Sequence, residues 1–156
     1  MTAVAAAALQ VKPGHWRHMP GQRVWIVFGG RADHGWQRLL HPDFRHCFAA
    51  IEDGQGWMVL DPLTGRLLLA RIEVPPGFDL PDFYRRAGLR PVGPFPMAEH
   101  ELGRGLFGAP LNCVSICRAA LGPNAPFAIT PHGLFRSLIN RMESRKKNLT
   151  SFEIPT

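Results

Sequence analysis

His46-Cys-Phe-Ala-Ala-Ile51, Glu52-Asp-Gly-Gln-Gly56 and Trp57-Met-Val-Leu-Asp61 follow one another without a break. The outer two stretches are short, apolar and rich in residues that suit a pleated, half-buried surface. The middle one is polar, with two glycines. Two such runs joined by a tight polar turn make an antiparallel hairpin. In that hairpin His46 opens one strand and Asp61 closes the next. Those two ends are neighbours in an antiparallel pair.

Working outward, Arg23-Val-Trp-Ile-Val-Phe28 is a continuous apolar run closed by Gly29-Gly30, and its length and β-branched content predict a buried strand. Residues 31 to 45 read as a polar, irregular connection containing Pro42. On the other side of the hairpin, Pro62 is expected to end the third strand. Leu63-Thr-Gly65 turns again, and Arg66 to Ile72 reads as a fourth strand. Leu80 to Ala87 reads as a short helix stopped by Gly88, and Leu89 to Phe95 as a proline-rich edge strand.

Pro110 precedes a helical stretch, Leu111 to Leu121, closed by Gly122 and Pro123. Thr130-Pro131 starts a second helix, with a hydroxyl cap followed by proline at the first helical position. Leu134, Phe135, Leu138, Ile139 and Met142 recur there at helical spacing. Strands come first and helices after, so the fold class expected is α+β: an antiparallel sheet of about four or five strands packed against C-terminal helices. The predicted organisation is an N-terminal arm over 1–20, one domain over 21–145, and a frayed tail over 146–156.

The chain has 156 residues, 46% hydrophobic and 19% charged, which suits one globular domain with its own core. Sixteen glycines and fifteen prolines favour many turns over a long helical bundle. The net charge of +6 permits an acidic partner without requiring one. Arg136, Arg141, Arg145, Lys146 and Lys147 concentrate the excess near the C-terminus, where such a run reads as a solvated helix face, and nucleic acid is not the expected partner. Three cysteines, an odd number, offer no disulfide framework and fit a reducing compartment. Met1 to Leu9 lacks the basic start of a signal peptide. No apolar run is long enough for a transmembrane helix. A cytoplasmic protein, or part of a particle assembled in the cytoplasm, is expected.

Cys113 falls in the first turn of its helix, where unpaired backbone N–H groups and the helix dipole favour thiolate over thiol and offer an oxyanion site. A thiol there and an imidazole at a strand mouth make a nucleophilic couple if the fold joins them. Asp61, on the strand next to that of His46, is placed to accept the second imidazole N–H and set the tautomer. The blander reading of each residue is a buried small apolar group, a strand-end histidine bonded to a carbonyl, and a turn aspartate. Alternation puts Cys47 on the face opposite His46, and Cys117 lies one helical turn after Cys113, so both read as packing residues.

Other chemistries have weaker signatures. Seven histidines show no His-Glu-x-x-His spacing, and there is no Cys-x-x-Cys, so no metal site is expected. Gly29-Gly30 follows a strand but lacks the further glycines and lysine of a phosphate loop. No cofactor is expected.

Arg45-His46-Cys47-Phe48-Ala49, Trp57-Met58-Val59-Leu60-Asp61-Pro62 and Leu111-Asn112-Cys113-Val114-Ser115, in that order, resemble the circularly permuted branch of papain-like cysteine hydrolases. That branch includes permuted relatives of the NlpC-type cell-wall peptidases and the lecithin–retinol acyltransferase group. In it the histidine strand precedes the cysteine helix, as here. The resemblance implies Cys113 as nucleophile, His46 as base and Asp61 as the orienting residue, with the cysteine helix against an antiparallel sheet. It implies a peptide, peptidoglycan-like or lipid acyl substrate. The rival expectation is a non-catalytic, virion-associated or tail-like structural subunit with protein assembly partners on the same scaffold.

Overall fold

A computed structural model describes residues 21–31, 35–63, 66–97 and 112–151. The fold is α+β, with five antiparallel strands and three α-helices among the described residues. The strands are β1 (Arg23–Gly29), β2 (His46–Glu52), β3 (Trp57–Leu63), β4 (Arg66–Ile72) and β5 (Arg90–Pro96), in the spatial order β4-β3-β2-β1-β5. The helices are α1 (Leu80–Arg86), α2 (Cys113–Leu121) and α3 (Pro131–Ser151).

The hairpin forms as its sequence dictates. Its β2–β3 register runs from Glu52↔Trp57 to Ala49↔Leu60. Gly54 sits in the turn at φ 78°, a conformation costly for any residue with a Cβ. Asp53 closes the turn by accepting the Gln55 backbone N–H, and Arg71 of β4 pairs with its carboxylate. β1 lies on the other flank of β2 and pairs with it in unbroken register, from Arg23↔Glu52 to Gly29↔His46.

The sheet is covered on both sides. Val24, Ile26, Phe28, Cys47, Ala49 and Ile51 point to one face and pack with Val114, Cys117 and Ala120 of α2 and Leu134 and Leu138 of α3. Trp25, Val27, Ala50, Trp57 and Val59 point to the other and pack with Leu80 of α1. The period-two alternation of β1 is thus satisfied by an apolar layer on each side, which explains its unbroken apolar run.

Several boundaries differ from those the sequence suggests. Pro62 does not end β3, which continues to Leu63 along β4 as far as Leu63↔Arg66. Pro62, with no N–H to donate, lies in the part of β3 that has left β2. The connection 31–45 contains a 3-10 turn, Gly35–Leu39. Helix α3 extends to Ser151, past Lys146 where the tail is expected to begin. The predicted arm at 1–20 lies outside the described residues, as do residues 98–111, which include Leu111 at the expected start of its helix. No helix among the described residues is long and apolar enough to cross a membrane.

Candidate active site

The start of β2 is held from two directions. The Arg45 backbone N–H donates to the Gly29 carbonyl at 2.9 Å, extending the β1 contact past the ladder. Gly30 lies so close to the incoming chain that a Cβ there would meet the Pro42 carbonyl oxygen at 2.5 Å. Only a glycine lets the two backbones approach this far. His46 is therefore the first side chain fixed by the sheet as the chain leaves the loop, at a strand end that rigid neighbours define.

Its partner is Asp61. His46 Nε2 and Asp61 Oδ1 are 2.6 Å apart, the geometry of a charge-assisted hydrogen bond in which the imidazole donates. The contact forms where the β2–β3 ladder has just ended, so β3 diverges enough to admit two side chains. Phe48, next on the same face, stacks loosely on the imidazole and meets Tyr84 of α1 edge-on at 5.3 Å. Burial works against the imidazolium charge. The hydrogen bond to Asp61 and the coupling to Cys113 outweigh it, raising His46 from 6.5 to about 9.

Cys113 is the first residue of α2. Asn112 is the N-cap: its side chain accepts the Ser115 backbone N–H at 2.9 Å, and Ser115 Oγ accepts the Asn112 backbone N–H at 2.9 Å. This reciprocal capping box fixes the first turn. Ser115 N–H is spent on the cap, and the amides of Cys113 and Val114 have no acceptor within the helix. Two first-turn amides therefore stand beside the sulfur.

The His46 imidazole and the Cys113 thiol lie close enough for each to shift the other's ionisation. The three residues singled out in the sequence are thus brought together, the imidazole bonded to the Asp61 carboxylate and coupled to the Cys113 thiol. Cys113 is half-buried, and Cys47 and Cys117 are buried.

One expectation is reversed. A thiol at a helix start was expected to ionise readily, whereas Cys113 is pushed well above the ordinary thiol range. The contact with Cys47 is the largest cause and burial the second, and His46 opposes both. Cys47, wholly buried, is itself pushed up by burial. Its side chain meets both Cys113 and Cys117, and its backbone N–H reaches the Cys113 sulfur. Cys47 is a core residue, as alternation predicts, but it also sets the electrostatics of Cys113. No local signal in the sequence marks that role, because it arises from α2 lying across β2. The Asn112 cap lies inside the stretch expected as helix from Leu111, and its local signal is the Asn-x-x-Ser spacing.

Among the described residues no group of three or more His, Cys, Asp and Glu side chains is placed to hold a metal ion. No protein-family model, curated protein or solved structure matches this chain.

Proposed function

We propose that this protein is a cysteine-dependent hydrolase or acyltransferase acting on an amide, ester or thioester, with Cys113 as nucleophile, His46 as base and Asp61 as the residue that orients it. The observation that carries the reading is the single imidazole shared between the Asp61 carboxylate at 2.6 Å and the Cys113 thiol. The order of elements, histidine strand before cysteine helix against an antiparallel sheet, supports a permuted papain-like scaffold.

The protonation states define how such a site works. At neutral pH the imidazole carries its proton, held by Asp61, beside a neutral thiol. Loss of one proton, centred at about 9, frees the imidazole as a base. Neutral His46 then takes the S–H proton as the sulfur attacks the carbonyl carbon, and returns it to the leaving group as the acyl-enzyme forms. The amides of Cys113 and Val114 face the developing oxyanion. Water, or an acceptor nucleophile, releases the acyl group in the second half.

Mass spectrometry with an activated ester or thioester tests this directly. The expected result is an acyl adduct on Cys113 that forms faster as pH rises toward 9 and is lost in Cys113→Ala and His46→Ala. Adducts spread over all three cysteines, or equal labelling in His46→Ala, would remove the proposal. The exposed leucines of β4 favour a second reading, a non-catalytic subunit of an assembly. That reading predicts a defined oligomer and no turnover of any model acyl compound.

A further inference from the structure

The two edges of the sheet are built differently. β5 carries Pro91, Pro94 and Pro96, and its pairing with β1 is broken by a register shift between Val24 and Ile26. Prolines and irregularities are the devices by which an edge is closed to further strands. β4 has none of them. It contains no proline and no glycine, and it pairs with β3 in seven consecutive steps, from Trp57↔Ile72 to Leu63↔Arg66. Among the described residues no strand pairs with its outer side.

That open edge is apolar on both faces. Leu67 and Leu69 point to one side of the sheet and Leu68 to the other, exposed by 54%, 65% and 44%. α2 packs on β1, β2 and β3, toward the centre of the sheet. A regular edge with leucines above and below, between Arg66 and Arg71, is a pairing surface for another strand.

We infer that the occupant is a second copy of this chain, joined β4 to β4 in antiparallel register about a two-fold axis through Leu68. The pattern of the strand selects both the partner and the register. An antiparallel edge pair related by a two-fold keeps opposite residues on the same face, so the axis must pass through a residue and not between two. An axis through Leu68 sets Leu68 against Leu68 and Leu67 against Leu69 twice, with Arg66 opposite Ala70. An axis through Leu69 would set Leu67 against Arg71, and one through Leu67 would set Leu68 against Arg66. Only the Leu68 register matches leucine to leucine on both faces. The nearest forbidden register would oppose Arg66 to Arg71. The charge of Arg71 is already met by Asp53, so it does not repel the approaching copy. The two sheets become one, with the helices α2 and α3 of both copies on the same side.

This association is independent of the enzymatic proposal, because none of Cys113, His46 and Asp61 lies on β4. Light scattering on the full chain is expected to give twice the chain mass. Leu69→Lys, a change at an exposed position, should give a monomer with an unchanged circular dichroism spectrum. Leu68→Cys should form an interchain disulfide with itself on mild oxidation, since directly opposed residues lie about 4.5–5.5 Å apart at Cα, within disulfide reach. Leu67→Cys alone should not cross-link, whereas the double variant Leu67→Cys/Leu69→Cys should. A monomeric wild-type chain overturns the inference, as does a dimer that survives Leu69→Lys. Cross-linking of Leu67→Cys but not Leu68→Cys overturns the register.

Discussion

Replacing Asp61 by asparagine removes one negative charge and keeps the shape and an acceptor oxygen. Its effect on stability follows from His46. A histidine raised from 6.5 to about 9 on folding makes the folded state hold its proton more tightly than the unfolded chain does. At roughly 1.4 kcal/mol per pH unit, this rise corresponds to about 3 kcal/mol. The His46 side chain is only 8% exposed, so solvent screening takes little of it away. Of the interactions that raise the value, the bond to Asp61 is the largest, and Asp61→Asn should remove most of this stabilisation. The sign follows from the direction of the shift. The contribution is complete below pH 6.5, where folded and unfolded chains are both protonated. It declines between pH 6.5 and about 9 and is gone above that, where both states hold a neutral imidazole. Asp61→Asn should therefore cost about 2–3 kcal/mol at pH 6, about 1 kcal/mol at pH 8 and little at pH 10. Urea unfolding followed by tryptophan fluorescence suits the measurement, because Trp25 and Trp57 lie 5.0 Å apart in the core. A cost that is the same at pH 6 and pH 10 would refute the ion pair as its source.

Two further outcomes bear on the cysteine. Cys47→Ser loses the largest influence holding the Cys113 thiol up, so iodoacetamide should label Cys113 at lower pH in this variant than in the wild type; an unmoved pH profile would point to burial alone. Asn112→Ala removes the cap of α2 and should cost about 1 kcal/mol in thermal or urea unfolding. It should also slow acyl transfer to Cys113 by loosening the turn that aims the sulfur, and unchanged transfer would separate the cap from the site.

Much of the architecture was legible along the chain. The hairpin at 46–61, the buried strand at 23–28, the helix closed by Gly122 and the Thr130-Pro131 helix start all rest on near-neighbour chemistry: alternation, turn residues, caps. The same logic failed where long-range contacts decide. Pro62 was expected to stop β3, yet β3 continues because β4 alone supplies its pairing there. Leu67, Leu68 and Leu69 looked like ordinary strand residues, and only the strand order places them on the outermost strand of the five-stranded sheet.

By itself the sequence determined the residue types of the candidate site and the local element beneath each: an imidazole at a strand mouth, a carboxylate near the end of the adjoining strand, and a thiol at a helix start. These depend on dihedral preferences and spacing over a few residues. Only the tertiary structure decided that α2 lies across β2, which brings the Cys113 sulfur to His46 and also to Cys47. That second contact reverses the expected ionisation of the thiol, because a pKa reflects everything around the sulfur, including a neighbour 66 positions away along the chain.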